Sequence, residues 1–228
     1  MAAELPPLLL AFGKSFLFAL ATLLPILNPA ASAPIVLGLT EGASAHTRAV
    51  LARRVAVNMV LLMTGAMLVG SYVLDLFGIS LPIVRVAGGM IIAANAWRLL
   101  NAQAPAYDNR QALAEGFTPE QARHQAFYPL TFPLSCGPGS ISAAITVGVA
   151  LHDTQLPLSL TRFGGGVLAL LVIGVIMFLA HRYASLLLKP LGETGTTVFL
   201  RLTAFILLCL GVQIVWDGVA ELVRALPG

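Results

Sequence analysis

Four stretches of the chain, 15–40, 55–74, 125–151 and 163–180, contain no Asp, Glu, Lys or Arg, and two more, 76–97 and 194–216, contain one arginine each, Arg85 and Arg201. An apolar helix needs about 20 residues to cross the hydrocarbon core of a bilayer, so the pattern predicts six transmembrane helices. Charged and polar residues gather between the runs, and the one long connection, 99–125, divides the spans three and three. The predicted units are 1–100, 101–125 and 126–228: a first three-helix half, a connecting loop and a second half.

Prolines open both halves with the same spacing. Pro25, Pro29 and Pro34 are followed 104 residues later by Pro129, Pro133 and Pro138, which points to an internal repeat. Proline inside a helix removes a backbone donor and clashes with the carbonyl one turn back, so the first helix of each half is expected to be broken. Because three spans are an odd number, the second half must enter from the opposite side, giving two inverted-topology repeats. The third spans agree: Arg85 opens RVAGGMII and Arg201 opens RLTAFILL, each a short distance after a loop glycine, Gly78 or Gly195.

Composition confirms the solvent. Hydrophobic residues make up 58% of the chain and charged ones 10%, with a mean hydropathy of +0.89, which excludes an ordinary soluble domain. The net charge of +3 comes from few charges between apolar spans, so it bears on orientation and not on nucleic acid, which is not an expected partner. Along a six-span path one face collects Arg48, Arg53, Arg54, Arg98, Arg110, Arg123, Arg182, Lys189 and Arg201, and the other only Lys14, Arg85, Arg162 and Arg224. The first face is therefore expected in the cytoplasm, with both termini outside, which in a bacterium means periplasmic. The N-terminus lacks a basic region before its apolar run and reads as the first span, not as a cleaved signal. In the central loop, Thr118, Pro119 and Gln121 have the pattern of a helix start.

Irregular backbone at membrane depth survives only when buried in protein or lining a wet cavity, which makes the two breaks a candidate binding site. The first holds Asn28, Ala31 and Ser32; the second holds Thr131, Ser135, Cys136, Gly137, Gly139 and Ser140. A half-helix starting after a break offers its N-terminal amides to an anionic group, and small residues leave room for a small polar or zwitterionic solute. The plain alternative is that prolines only kink packed helices, with Ser and Thr satisfying the freed carbonyls. For one kink packing is the simpler explanation; two repeated triplets with Gly and Ser clusters favour a site.

Other polar residues are candidates for coupling or gating. Arg85 and Arg201 either reach toward the breaks or sit in the first turns of their helices and snorkel to the interface, with Asp75 or Glu193 as a partner; interface placement is the favoured reading. Asn58, Asn95 and Gln213 either serve coupling or join helices by hydrogen bonds. Gly88, Gly89 and Gly164 to Gly166 read as close-packing positions, and Trp97 and Trp216 as interfacial anchors. Enzyme readings find little support. The four histidines have no metal-ligand spacing, Cys136 and Cys209 sit in apolar runs, carboxylates avoid the spans, and no GxxxxGK[ST] loop is present. No metal or cofactor is expected beyond a coupling ion, Na⁺ or H⁺. Membrane lipid is an expected partner, and a homo-oligomer is left open.

The segments LLPILNPAASAPIVLGLT, FGISLPIVRVAGGMII, AFYPLTFPLSCGPGSISAAITV and RLTAFILLCLGVQIVWDGV together resemble the MarC family of bacterial and archaeal inner-membrane proteins, related to the LysE-type exporters. The family's NPxxxxP pattern is matched by Asn28, Pro29 and Pro34, and its PLTxPxxxGPGxI pattern by 129–141. Ala31 stands where many members have glycine, and Cys136 where a small or aliphatic residue is usual. The resemblance implies six spans, periplasmic termini and, for some members, transport of small neutral amino acids such as alanine and glycine. The expected function is thus secondary transport across the inner membrane by rocking of one repeat against the other. A membrane scaffold or regulatory protein is the alternative, and broader drug efflux a third reading that the aromatic content of 7% disfavours.

Overall fold

A computed structural model describes residues 5–40, 43–101 and 126–225, and among these every regular element is a helix. α1 (Leu5–Leu27) and α2 (Pro29–Leu39) meet at Asn28; α3 spans Ala45–Leu76 and α4 Leu81–Asn101. After the connecting segment come α5 (Ala126–Ser135, irregular), α6 (Pro138–Leu151), α7 (Leu156–Arg182), the short α8 (Ala184–Leu188) and α9 (Gly192–Arg224). Five stretches are long and apolar enough to cross a membrane: Pro7–Leu37, Ala45–Leu76, Leu81–Asn101, Leu156–Arg182 and Thr194–Arg224. A sixth forms if α5 and α6, bent by 71°, count as one span. The loop helix expected around Thr118, Pro119 and Gln121 lies outside the described residues, as does the Glu193 side chain.

Several helices outrun their apolar cores. α3 begins at Ala45, ten residues before its uncharged stretch, because Ser44 in extended backbone accepts a 3.1 Å hydrogen bond from the Thr47 N–H, the usual N-terminal cap. It stops where Gly78 takes a positive φ of 66°, a conformation glycine adopts at little cost. α9 begins at Gly192, so Arg201 is exposed in its third turn and not in the first turn the sequence led us to expect. Arg85 lies five residues into α4, and its partner is Glu221 near the end of α9 instead of Asp75.

The buried centre is formed by α1, α3, α6 and α7, through Leu23, Met59, Met63, Met67, Val147, Leu170, Ile173 and Met177. Close approach depends on small residues. A Cβ at Gly165 would lie 2.5 Å from the Phe12 carbonyl oxygen, holding α7 against α1. A Cβ at Gly148 would strike the Met67 carbonyl, holding α6 against α3. α4 and α9 form a second unit, also in close backbone contact: a Cβ at Gly211 would lie 2.6 Å from the Ala93 nitrogen, and one at Gly218 2.8 Å from the Pro82 oxygen. Such contacts suit association in lipid, where dispersion between close backbones replaces the hydrophobic drive. Outward faces carry exposed Leu61, Leu160, Val198 and Phe205, as lipid contact requires.

Candidate functional site

Pro29 has no N–H for the Pro25 carbonyl one turn back, so the α-helical ladder must lapse here. Pro25 and Pro34 lie inside α1 and α2, and the chain interrupts itself at the residue between, Asn28, with φ +46°. Asparagine is among the few residues that tolerate left-handed backbone. Its N–H closes α1 on the Leu24 carbonyl at 3.0 Å, and its Oδ1 accepts from the Ala31 N–H at 3.1 Å, so one side chain ends one helix and caps the next. The Nδ2 of this 93% buried residue finds no partner among the described residues.

One turn on, Ser32 reaches across to α7. Its Oγ lies 2.9 Å from His181 Nε2, 3.2 Å from the Pro29 carbonyl oxygen and 3.6 Å from Met177 Sδ. His181 is buried, and its Nδ1 has no partner. Ala31 is buried beside these groups in sequence. A cavity of about 560 Å³ opens along the break, walled by Leu24, Asn28, Ala33, Ile176, Leu188 and Phe199, with Pro25 and Pro29 also on its surface.

The second interruption is built differently. Tyr128 and Phe132 take extended backbone, φ −119° and −116°, because each precedes a proline, Pro129 or Pro133, whose Cδ excludes the helical region for its neighbour. Side chains collect the freed carbonyls: Thr131 Oγ1 donates to Ala126 O at 2.6 Å and Ser135 Oγ to Leu130 O at 2.8 Å. The Cys136 N–H returns to Thr131 O at 2.8 Å. Gly137 in extended backbone then leads into α6 with Pro138 at its start. Asn58 on α3 points its Nδ2 at Thr131 Oγ1, 3.5 Å away.

Thr131, Ser135, Cys136 and Ser140 are all buried. Leu27 and Cys136 belong to the same apolar cluster, so the two breaks face one core. The cavity walls nevertheless draw only on the first break among the predicted residues. Gly139 is turned to α4, where a Cβ would meet Ile92 Cγ1 at 2.5 Å. Arg85, Asn95, Arg201 and Gln213 stand away from both breaks: Arg85 pairs with Glu221, Asn95 and Arg201 are exposed, and Gln213 Nε2 donates to Asp217 Oδ1 on its own helix at 2.9 Å. The residue that sequence reasoning passed over is His181. Only its position in the last turn of an otherwise apolar helix marked it.

The MarC family of integral membrane proteins matches residues 13–223. A protein of Escherichia coli strain ATCC 8739, described as UPF0056 inner membrane protein MarC, is 30% identical over 213 residues, covering 92% of this chain and 96% of its own length. Proteins with the same description from E. coli K12 and Shigella flexneri are 29% identical over the same extent. No solved structure matches the chain. With a family match running almost end to end and the helices and interruptions falling where its motifs lie, this chain belongs to the MarC family of integral membrane proteins.

Proposed function

We propose that the protein is a secondary transporter of small neutral amino acids, alanine- or glycine-like, in the inner membrane of a bacterium. The observation that carries this reading is Asn28: an irregular turn within the apolar stretch Pro7–Leu37, a buried amide donor without a partner among the described residues, and a cavity of about 560 Å³ beside it. That volume lies within the range of small-molecule sites, and its apolar walls leave the amide as a directional contact for a substrate oxygen. Substrate entry there explains why so unfavourable an arrangement is kept.

Helix pairing supports two inverted repeats. Exchanging the halves pairs the α1–α7 and α2–α7 contacts with the α5–α3 and α6–α3 contacts, and it maps the α3–α7 and α4–α9 contacts onto themselves; all of these contacts are present. The charge asymmetry supports periplasmic termini, and the relatives described as inner membrane proteins support the location. The carrier is either an exporter running down its substrate gradient or coupled to Na⁺ or H⁺.

The test is uptake of labelled alanine, glycine and serine into proteoliposomes under imposed Na⁺ or proton gradients. Saturable uptake that Asn28→Ala abolishes in a folded protein supports the reading. Substitution that only lowers folding, with no flux in the parent, favours a scaffold.

A further inference from the structure

α7 ends at Tyr183, whose φ of −104° and ψ of 17° leave the helical ladder, and the chain resumes as the short α8. That change of course cuts a notch into the outward face of the molecule. Ile176, Leu179, Ala180 and Tyr183 recur at helical spacing along the last turns of α7, and Leu186 and Leu187 close the notch from α8, leaving a groove of about 580 Å³. Ala180 gives the groove its depth, because a methyl leaves room between longer neighbours. Tyr183 is the only polar side chain in the wall. Leu186 is 68% and Leu187 56% exposed, an apolar surface that water would not tolerate as a free patch and that hydrocarbon covers at no cost.

Cations bracket this groove in the chain: Arg182 directly precedes Tyr183, and Lys189 directly follows α8. The guanidinium carbon of Arg182 lies 5.5 Å from the centre of the Tyr183 ring and 5.7 Å from that of Phe178, so aromatic faces hold the charge against the groove's own wall. Both cations are exposed, and neither has a hydrogen-bond or ion-pair partner among the described residues, whereas Arg85 and Arg162 each meet a carboxylate. The wall itself contains no carboxylate. Arg182 and Lys189 also belong to the more basic of the two faces, the one expected in the cytoplasm. A guanidinium with uncommitted donors and a lysine beside it suit a phosphate, which arginine binds through two parallel hydrogen bonds and lysine as a point charge.

We infer that the groove between the end of α7 and α8 is a binding site for an anionic phospholipid of the cytoplasmic leaflet, with one acyl chain against Ile176, Ala180 and Leu187 and the head-group phosphate on Arg182 and Lys189. Basic residues beside an apolar gap on the cytoplasmic side are the arrangement that holds anionic head groups. A second copy of the chain fits the same face poorly, since two-fold docking would set Arg182 and Lys189 against their own equivalents. Ile176, Ala180 and Leu187 also wall the cavity beside Asn28, so the bound chain backs a wall common to both spaces and the head group pins α8 at the membrane surface. The inference stands whether or not the protein carries amino acids.

The experiment titrates the full chain in detergent with dioleoylphosphatidylglycerol and with dioleoylphosphatidylcholine, which has the same chains under a zwitterionic head, and counts retained lipid by native mass spectrometry. One phosphatidylglycerol per chain should be held about tenfold more tightly than phosphatidylcholine. Arg182→Gln and Lys189→Gln, both at exposed positions that leave the fold intact, should each weaken phosphatidylglycerol about fivefold, the contribution of one cation near an anionic head. Arg53→Gln, exposed on α3 and in the wall of neither cavity, should leave it unchanged. Glycerol phosphate, the head without chains, should not displace the lipid. Equal retention of the two lipids overturns the inference, as does phosphatidylglycerol binding that Arg182→Gln and Lys189→Gln leave untouched or that Arg53→Gln weakens as much. Displacement by glycerol phosphate would reduce the site to a phosphate site, and a dimer that phosphatidylglycerol does not dissociate would give the groove to a second copy; either result overturns the lipid assignment.

Discussion

A left-handed backbone costs an ordinary L residue about 1–2 kcal/mol, and Asn28 adopts it at φ +46° while capping α2 through Oδ1. Backbone and amide roles are separable. Asn28→Gly relieves the turn and removes the amide, so folded yield and thermal stability should hold within about 1 kcal/mol while uptake is lost. Asn28→Ala should lose uptake and also melt lower, by roughly 1–2 kcal/mol. A thermal melt beside a flux assay checks both. Glycines divide in the same way. At Gly211 an added Cβ meets the Ala93 nitrogen at 2.6 Å, whereas at Gly65 nothing lies within 4 Å. Gly211→Ala should therefore destabilise by about 1–3 kcal/mol and Gly65→Ala should leave the melting temperature unchanged or slightly raised. None of this contrast is legible in the sequence, since both glycines sit in similar apolar runs and only the helix across the gap tells them apart.

At the scale of elements, composition made the long helices legible and left their ends obscure. Runs with at most one charge located α3, α7 and α9 because hydrocarbon excludes charge. The extra turns of α3 carry Arg48, Arg53 and Arg54, which look like loop until the Ser44 cap is seen. Prolines led to an expectation of broken helices near 25–34 and 129–138; the first run remains one apolar stretch, Pro7–Leu37, with its irregular backbone at Asn28, and the sequence does not show how the freed groups are satisfied. Asn28 does so with a left-handed turn. α5 uses two extended residues and two hydroxyl groups. Thr131 and Ser135 thus have a structural duty beside any part in binding: each covers a buried carbonyl. Thr131→Val should cost about 1–3 kcal/mol, read as a fall in melting temperature, while Thr161→Val, at a half-buried position of α7 whose hydroxyl bonds the Pro157 carbonyl in an exposed contact, should change it by no more than about 0.5 kcal/mol. Long-range partners were the least legible. Arg85 and Glu221 are separated by 136 positions, and nothing local in either segment announces the pair.

For the whole molecule, the tight union of α4 with α9 constrains how it can move. These helices belong to opposite halves, yet their backbones touch at Gly89, Gly211 and Gly218 and the Arg85–Glu221 pair closes one end. Rigid rocking of one complete half against the other would have to break those contacts. Motion of the α4–α9 unit relative to α1, α3, α6 and α7 preserves them and alters the wall that Phe199 gives to the cavity. Locking that boundary should test the route: a short bis-thiol cross-link between cysteines introduced for Arg85 and Glu221, whose side chains pair across it, leaves flux unchanged if α4 and α9 move together, and loss of flux would show that they separate. The central claim remains that this fold carries a small amino acid across the membrane through the break at Asn28. Its most direct measurement is counterflow: proteoliposomes loaded with unlabelled alanine and diluted into a trace of labelled alanine, with no ion gradient. A transient overshoot of internal label, absent in folded Asn28→Gly, is the predicted result; label entering no faster than into protein-free liposomes would contradict the account.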